Sequence, residues 1–180
     1  MLKSKQTVKK GNSGFTLIEL MVTLSVAAIL VTVGVPSFMS TIASNRVTAA
    51  TNEVVTALNL AKSEAIRSGQ NTVLCASANG STCGGNWSDG WILFSDTDTD
   101  HTKDAEEQAI RVHAAAEQSL GFIFKSADYI EFKPNGRSNE NGHFCFHNSY
   151  SDENSRAVII SQLGRIRTEV RKGSDNDCAA

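Results

Sequence analysis

Glu19 is the residue whose surroundings most need a chemical explanation. It is the only charged residue in the 21-residue apolar run from Phe15 to Val35. An ionised carboxylate in hydrocarbon costs at least about 3 kcal/mol unless a positive charge pairs with it or it reaches the membrane surface. Glu19 lies only five residues into the run, so reaching the surface is one interpretation. The other is pairing with a partner chain during assembly.

A second group of charged residues lies near the other end of the chain. Arg165 and Arg167, followed by Arg171 and Lys172, concentrate positive charge in a sequence that is otherwise acidic. In a strand, Arg165 and Arg167 would point to the same side, and two guanidinium groups on one face suit bidentate phosphate contacts. The alternative is an edge strand protected by charge, and Glu169 would lower the local potential.

Three alternating aspartates, Asp96, Asp98 and Asp100, raise the question of a calcium loop. Such spacing lets every second oxygen turn toward one ion. The glycine and the terminal glutamate of an EF-hand loop are missing at the required positions, and crowded aspartates are common in solvated turns. We therefore predict no metal site.

The four cysteines, Cys75, Cys83, Cys145 and Cys178, favour disulfides in an oxidising compartment. Three pairings are open. We favour Cys75 with Cys83, closing a short loop, and Cys145 with Cys178, fixing the C-terminus. Zinc is the rival interpretation, but no close CxxC pair occurs.

The remaining aromatic residues give no sign of catalysis. Trp87 and Trp91 could stack bases, but Trp91 precedes the apolar residues Ile92 to Phe94, which favours packing in a core. The sequence contains no nucleophile elbow, phosphate loop or metalloprotease helix. We therefore expect neither an enzyme nor a cofactor.

Composition divides the chain into four predicted segments. Residues 1–14 carry four lysines and no acid, and residues 15–35 are apolar and long enough to span a membrane. Residues 36–68 predict an amphipathic helix that Pro36 should kink, and residues 69–180 predict strands. No lysine or arginine follows the apolar run until Arg46, which predicts a cytoplasmic N-terminus and an outer C-terminal domain.

Net charge also bears on partners. The full chain has a net charge of −2, and without residues 1–14 it has 13 basic and 19 acidic residues, near −6. Such a chain is not attracted to nucleic acid as a whole, so contact with DNA would need a local basic patch.

The predicted fold is α+β. One helix runs to about Ser68, with Gly69 as its stop signal, and an antiparallel sheet packs on its C-terminal half. Pro134–Gly136 and Asn141–Gly142 are predicted turns. The predicted strands are Asn71–Ala76, Gly90–Phe94, Gln108–Val112, Gly121–Phe124, Tyr129–Phe132, Phe144–His147, Ala157–Ser161 and Ile166–Val170.

Several segments together resemble type IV minor pilins and type II secretion pseudopilins of the FimT/FimU–GspH family. The N-terminal one is GFTLIEL, residues 14–20, which is similar to a class III leader. The others are AKSEA at 61–65, WSDGWILFSD at 87–96 and GRIR at 164–167. The resemblance implies a pilin-like fold with a long N-terminal helix for membrane insertion and packing.

The resemblance also implies how the protein is processed and what it joins. A prepilin peptidase would cut between Gly14 and Phe15, and Phe15 would be methylated. Glu19 would neutralise the methylated N-terminal amine of a neighbouring subunit. Pro36 is at the position of a proline that many relatives share. We expect the inner membrane first, then a pilus or pseudopilus with other pilins. A DNA-binding role in competence, carried by GRIR, is the alternative function.

Overall fold

The computed structural model describes residues 14–115, 120–125, 128–148 and 151–171. Its single long helix, α1, spans Leu17–Ser68. Gly69 ends it with a φ of 71°, a left-handed conformation that glycine adopts without strain, and its N–H donates to the Ala65 carbonyl at 3.1 Å. The predicted helix end at Ser68 is therefore confirmed.

The chain divides between Phe38 and Met39 into two compact units. In the first, the large apolar side chains of α1 are exposed, from Leu17 at 77% to Phe38 at 67%. Among the described residues, α1 is the one helix apolar enough to cross a membrane. Its most apolar 18-residue window has a mean hydropathy of 2.3, and none of that window is buried.

Within the described residues, the second unit adds eight strands to the C-terminal part of α1. In chain order these are β1 Asn71–Ala76, β2 Gly90–Asp96, β3 Ala109–Ala114, β4 Leu120–Lys125, β5 Tyr129–Phe132, β6 Gly142–Asn148, β7 Ser151–Ile160 and β8 Ile166–Arg171. The strands form two antiparallel four-stranded sheets, ordered β3-β2-β1-β5 and β4-β6-β7-β8. The α+β prediction is confirmed, with two sheets in place of one.

The core lies between α1 and both sheets. The amphipathic pattern predicted for residues 36–68 gives α1 one apolar stripe, because spacings of three and four place its apolar residues on one face. The stripe is buried at Val47, Val54, Leu58, Ala61 and Ala65. They pack with large apolar residues of both sheets in one cluster. Its aromatic members are Trp87, Trp91, Phe132, Phe144 and Phe146. Burial of this stripe holds the later half of α1 against the strands.

Two local predictions need correction. Strand β7 begins at Ser151, six residues before the predicted start, because backbone pairing with β6 extends it through polar residues that carry no alternating pattern. The turn predicted at Asn141–Gly142 is wrong. Gly142 begins β6 opposite Ile160, and the Asn141 side chain accepts a hydrogen bond from the Gln162 N–H at 2.8 Å.

Candidate functional site

Glu19 lies in the first turn of α1, where the helix dipole favours a negative charge. Its backbone N–H donates to the Thr16 hydroxyl at 3.3 Å, and the residue is exposed. Among the described residues, no hydrogen bond or ion pair reaches its carboxylate. The carboxylate is therefore available to a group outside this chain.

The two residues at the predicted cleavage site, Gly14 and Phe15, are both exposed and precede the helix. A Cβ atom added at Gly14 would meet nothing within 4 Å. Residues 1–13 lie outside the described residues, so the basic leader stays a prediction.

Pro36 lies inside α1, and the assigned helix continues through it. Proline has no N–H, so the carbonyl of Thr32, four residues earlier, loses its usual helical donor. The Thr32 hydroxyl bonds back to the carbonyls of Ala28 and Ile29, each at 3.0 Å. Such local bonds stabilise a threonine inside an apolar helix segment.

One predicted disulfide is present. Cys75 and Cys83 are bonded, with Cα atoms 5.6 Å apart, and Cys75 is buried among apolar side chains of the first sheet. The zinc alternative is wrong for these two sulfurs because they are bonded to each other. Cys145 is buried and is not a free thiol. Cys178 lies outside the described residues, so its pairing with Cys145 stays a prediction.

The acidic loop after β2 is stabilised by two buried carboxylates. Asp96 accepts backbone hydrogen bonds from Thr99 at 2.7 Å and His101 at 3.3 Å. Glu107 accepts them from Thr97 at 2.8 Å and Asp104 at 3.2 Å. Burial raises the pKa of the Asp96 carboxyl above its usual value, and the two backbone hydrogen bonds oppose that rise. These four bonds fix the backbone of the loop.

The three alternating aspartates, Asp96, Asp98 and Asp100, do not belong to a single group of candidate ligands in the structure. Within the part of the chain that is described, three groups have candidate ligand atoms within 4.8 Å of one another. They are Asp96 with His101 and Glu131, Asp96 with Asp98 and Glu107, and Asp98 with Asp100 and Asp104. The structure therefore does not bring Asp96, Asp98 and Asp100 together as one calcium-loop set.

Both tryptophans pack in the core. Trp91 is 1% exposed and stacks on His113 at 5.1 Å, with the Arg111 guanidinium 5.7 Å from its ring centre. Trp87 meets the Phe144 ring edge-on at 5.0 Å. The packing interpretation is confirmed, and neither ring forms a platform for bases.

The basic C-terminal segment lies at a sheet edge. Arg165 precedes β8, the edge strand, and Arg167 lies within it, both exposed. The Arg167 Nε donates to the Glu169 carboxylate at 3.1 Å, which partly neutralises that arginine as the sequence indicated. Arg171 is the last residue of β8, and nothing is described of its side chain; Lys172 lies outside the described residues.

The turn that precedes the basic edge strand β8 has a neighbour in the fold that the sequence did not indicate. The turn at residues 133–137 lies against the turn at residues 161–165, where the Ser138 N–H donates to the Gln162 carbonyl at 3.1 Å. Lys62 of α1 donates from Nζ to the Gly164 carbonyl at 2.9 Å. The sequence signal that could have indicated the pair is the repeated Gly-Arg, at 136–137 and 164–165.

An N-terminal helix with an exposed apolar half, followed by antiparallel sheets on its later half, defines a pilin-like protein. The profile of the prokaryotic N-terminal methylation motif matches residues 9–35, and that of the type II transport protein GspH matches residues 50–164. The chain belongs to the GspH family of minor pilins and pseudopilins, which are structural subunits and assemble with other pilins.

Solved structures share this fold. The Pseudomonas aeruginosa type IV minor pilin FimU is 22% identical in one crystal form, covering 68% of this chain and 91% of FimU with a TM-score of 0.54. A second form gives 20% identity, 75% and 96% coverage, and a TM-score of 0.57. The Vibrio cholerae type 2 secretion minor pseudopilin EpsH is 12% identical, covering 69% of this chain and 97% of EpsH with a TM-score of 0.52. A comparison with curated proteins gives no match.

Proposed function

We propose that this chain is a minor subunit that primes the assembly of a type IV pilus or a type II secretion pseudopilus, at its tip or base. The observation that carries the proposal is the Glu19 carboxylate, which has no described partner and lies in the first turn of a helix whose apolar side chains are exposed. A helix of this kind gains stability by packing against other helices.

Processing follows from the same proposal. Prepilin peptidase removes residues 1–14, cutting between Gly14 and Phe15, and Phe15 becomes the methylated N-terminus. Residues 15–35 anchor the chain in the inner membrane and residues 36–68, beginning at Pro36, continue the packing helix. Residues 69–180 form the periplasmic domain that contacts other minor subunits.

The role of Glu19 is electrostatic. A carboxylate away from water is costly alone and tolerable beside a positive charge. The methylated amine at Phe15 of a neighbouring subunit supplies that charge during docking. The ion pair sets the axial position of one subunit against the next.

Replacement of Glu19 by alanine tests this proposal. In cells that also express the partner pilins, Glu19→Ala should keep membrane insertion and leader cleavage but lose co-purification with those pilins. Glu106→Ala, which removes one exposed carboxylate from a loop of the folded domain, is the matched control. Normal co-assembly of Glu19→Ala would contradict the proposal.

A second candidate function is non-specific binding of double-stranded DNA for uptake, through Arg165, Arg167, Arg171 and Lys172. The observation that favours it is Arg165, which is exposed and has no ion pair within the described part of the chain. Binding of this kind is weak, independent of sequence and strongly dependent on salt. Arg165→Gln/Arg167→Gln should abolish a gel shift at low salt, and an unchanged shift would exclude the site.

A further inference from the structure

The turn at residues 133–137 closes with two backbone hydrogen bonds. The Gly136 N–H donates to the Lys133 carbonyl at 2.8 Å, and the Lys133 N–H donates to the Arg137 carbonyl at 2.9 Å. Gly136 has a φ of 76°. This is the pattern of a three-residue hairpin loop, in which a tight turn is followed by a left-handed residue.

The turn at residues 161–165 repeats that pattern. The Gly164 N–H donates to the Ser161 carbonyl at 2.7 Å, and the Ser161 N–H donates to the Arg165 carbonyl at 3.1 Å. Gly164 has a φ of 70°. Each turn therefore places its glycine at the left-handed position and an arginine directly after it. We call residues 133–137 and 161–165 together the turn pair.

The two turns touch at their glycines. A Cβ atom on Gly164 would lie 1.9 Å from the Gly136 carbonyl oxygen, so the backbones approach as closely as glycine allows. The Lys62 ammonium also bonds to the Gly164 carbonyl, fixing the second turn to α1. Arg137 and Arg165, which each follow one of these glycines, are therefore attached to adjacent stretches of backbone, and contacts between the two turns and with α1 hold those stretches in place.

The turn pair carries exposed positive charge. Lys133, Arg137 and Arg165 are all exposed, and within the described ranges none of them has an ion pair. Arg167 lies two residues after Arg165, just outside the turn pair, and forms an ion pair with Glu169. The positive surface is thus broader than the linear GRIR segment, because a turn from a distant part of the sequence contributes two of its cations.

We propose that the turn pair is one phosphate-binding surface, in which Arg137 and Lys133 contact the backbone of duplex DNA beside Arg165. This rests on the DNA-binding candidate function and extends it to a second turn. Guanidinium groups bind phosphate oxygens in a bidentate way, and contacts to successive phosphates release counterions without reading base sequence. An acidic surface on a neighbouring subunit is the competing occupant, and the experiment separates the two.

The test is binding of a fluorescent 30-base-pair duplex to the full chain in non-ionic detergent, measured by anisotropy as salt is raised. Arg137→Gln and Lys133→Gln should each weaken binding roughly eightfold at 0.1 M salt and reduce the slope of log affinity against log salt by about 0.9. Arg137→Lys should keep the slope near that of the wild type, because it keeps the charge. The charge control is Arg111→Gln on β3, the opposite edge strand of the first sheet from β5. Because Arg111 is ion-paired with Glu53 at 3.3 Å, near-ultraviolet circular dichroism checks that this variant is folded.

The outcomes distinguish this inference from the function on which it rests. Absence of binding by the wild-type chain at low salt would overturn both. If the wild type binds and Arg165→Gln/Arg167→Gln does not, unchanged affinity of Arg137→Gln and Lys133→Gln would overturn the turn pair alone. Unchanged DNA affinity with lost co-purification of partner pilins would assign these cations to a subunit contact instead. An equal loss of DNA affinity for Arg111→Gln would show that only the overall charge of the chain matters, and this would also overturn the proposal.

Discussion

The ammonium of Lys62 donates a hydrogen bond of 2.9 Å to the carbonyl of Gly164, 102 residues further along the chain. This bond joins the amphipathic half of α1 to the turn before the basic edge strand. It connects two of the segments that resemble the family, AKSEA and GRIR. The connection is a hydrogen bond from a side chain to a backbone carbonyl, and it is not an ion pair. Lys62 is therefore a positioning residue for that turn.

Replacement of Lys62 by methionine should keep the packing of the side-chain stem and lose the hydrogen bond. The Gly164 carbonyl is then left without its charged donor, which should lower the free energy of unfolding by about 1–2 kcal/mol. Urea unfolding of the full chain in non-ionic detergent, followed by near-ultraviolet circular dichroism of the two buried tryptophans, measures this. Faster hydrogen exchange at the Ser138 amide should accompany the loss.

The matched control for this variant is Lys133→Met, which removes the same charge from an exposed lysine with no described ion pair. It should change stability by less than about 0.5 kcal/mol. Equal stability of the two variants would show that the Lys62 bond does not hold the turn.

The two turn glycines should differ in their tolerance of alanine. Both have a left-handed φ, which costs a non-glycine residue about 1–2 kcal/mol. At Gly136 the nearest atom to an added Cβ is the mobile Ile66 Cδ1 at 3.2 Å, whereas at Gly164 it is the Gly136 carbonyl oxygen at 1.9 Å. Gly164→Ala should therefore be the more destabilising of the two in the same unfolding assay. A larger loss for Gly136→Ala would contradict the close approach.

The Cys75–Cys83 bond closes a short loop with a sequence separation of 8. Removing it with Cys75→Ala/Cys83→Ala should lower the free energy of unfolding by about 2–3 kcal/mol, because the unfolded chain regains loop entropy. The comparison is made without reductant, so that other sulfurs are unaffected. Unchanged stability would mean that this loop is fixed by its other contacts.

The raised pKa of Asp96 predicts a pH dependence of stability. The folded state binds the Asp96 proton more tightly than the unfolded state, whose pKa is near 3.8. The stabilisation from this proton is therefore full below about pH 4 and is lost as pH rises through the raised pKa. The stability of the wild type relative to Asp96→Asn should fall across that interval, measured by urea unfolding from pH 3.5 to 7.

Asp98→Asn in the same loop corrects this comparison for the loss of one negative charge, since Asp98 is exposed. A difference between wild type and Asp96→Asn that stays constant or grows with pH would contradict the direction of the shift.

The sequence alone determined those features that depend on local pattern. The apolar run with Glu19 and the preceding lysines predicts a membrane anchor, because length and hydropathy are properties of a continuous segment. The stripe from Val47 to Ala65 predicts the buried face of α1, because helical spacing fixes which residues share a side. The predicted end of that helix at Ser68 and the separation of helix from strands followed in the same way.

Tertiary structure decided which distant segments meet. The division of the strands into two sheets and the role of Asn141 depend on partners in other segments of the chain. The early start of β7 at Ser151 depends on pairing with the neighbouring strand β6, where Ser151 lies opposite Asn148. The meeting of Gly136 with Gly164 depends on the packing of two separate hairpin loops. Local pattern assigned positive charge to Arg165 and Arg167, but only the fold brings Arg137 beside them, because pairing between strands is set by the whole core.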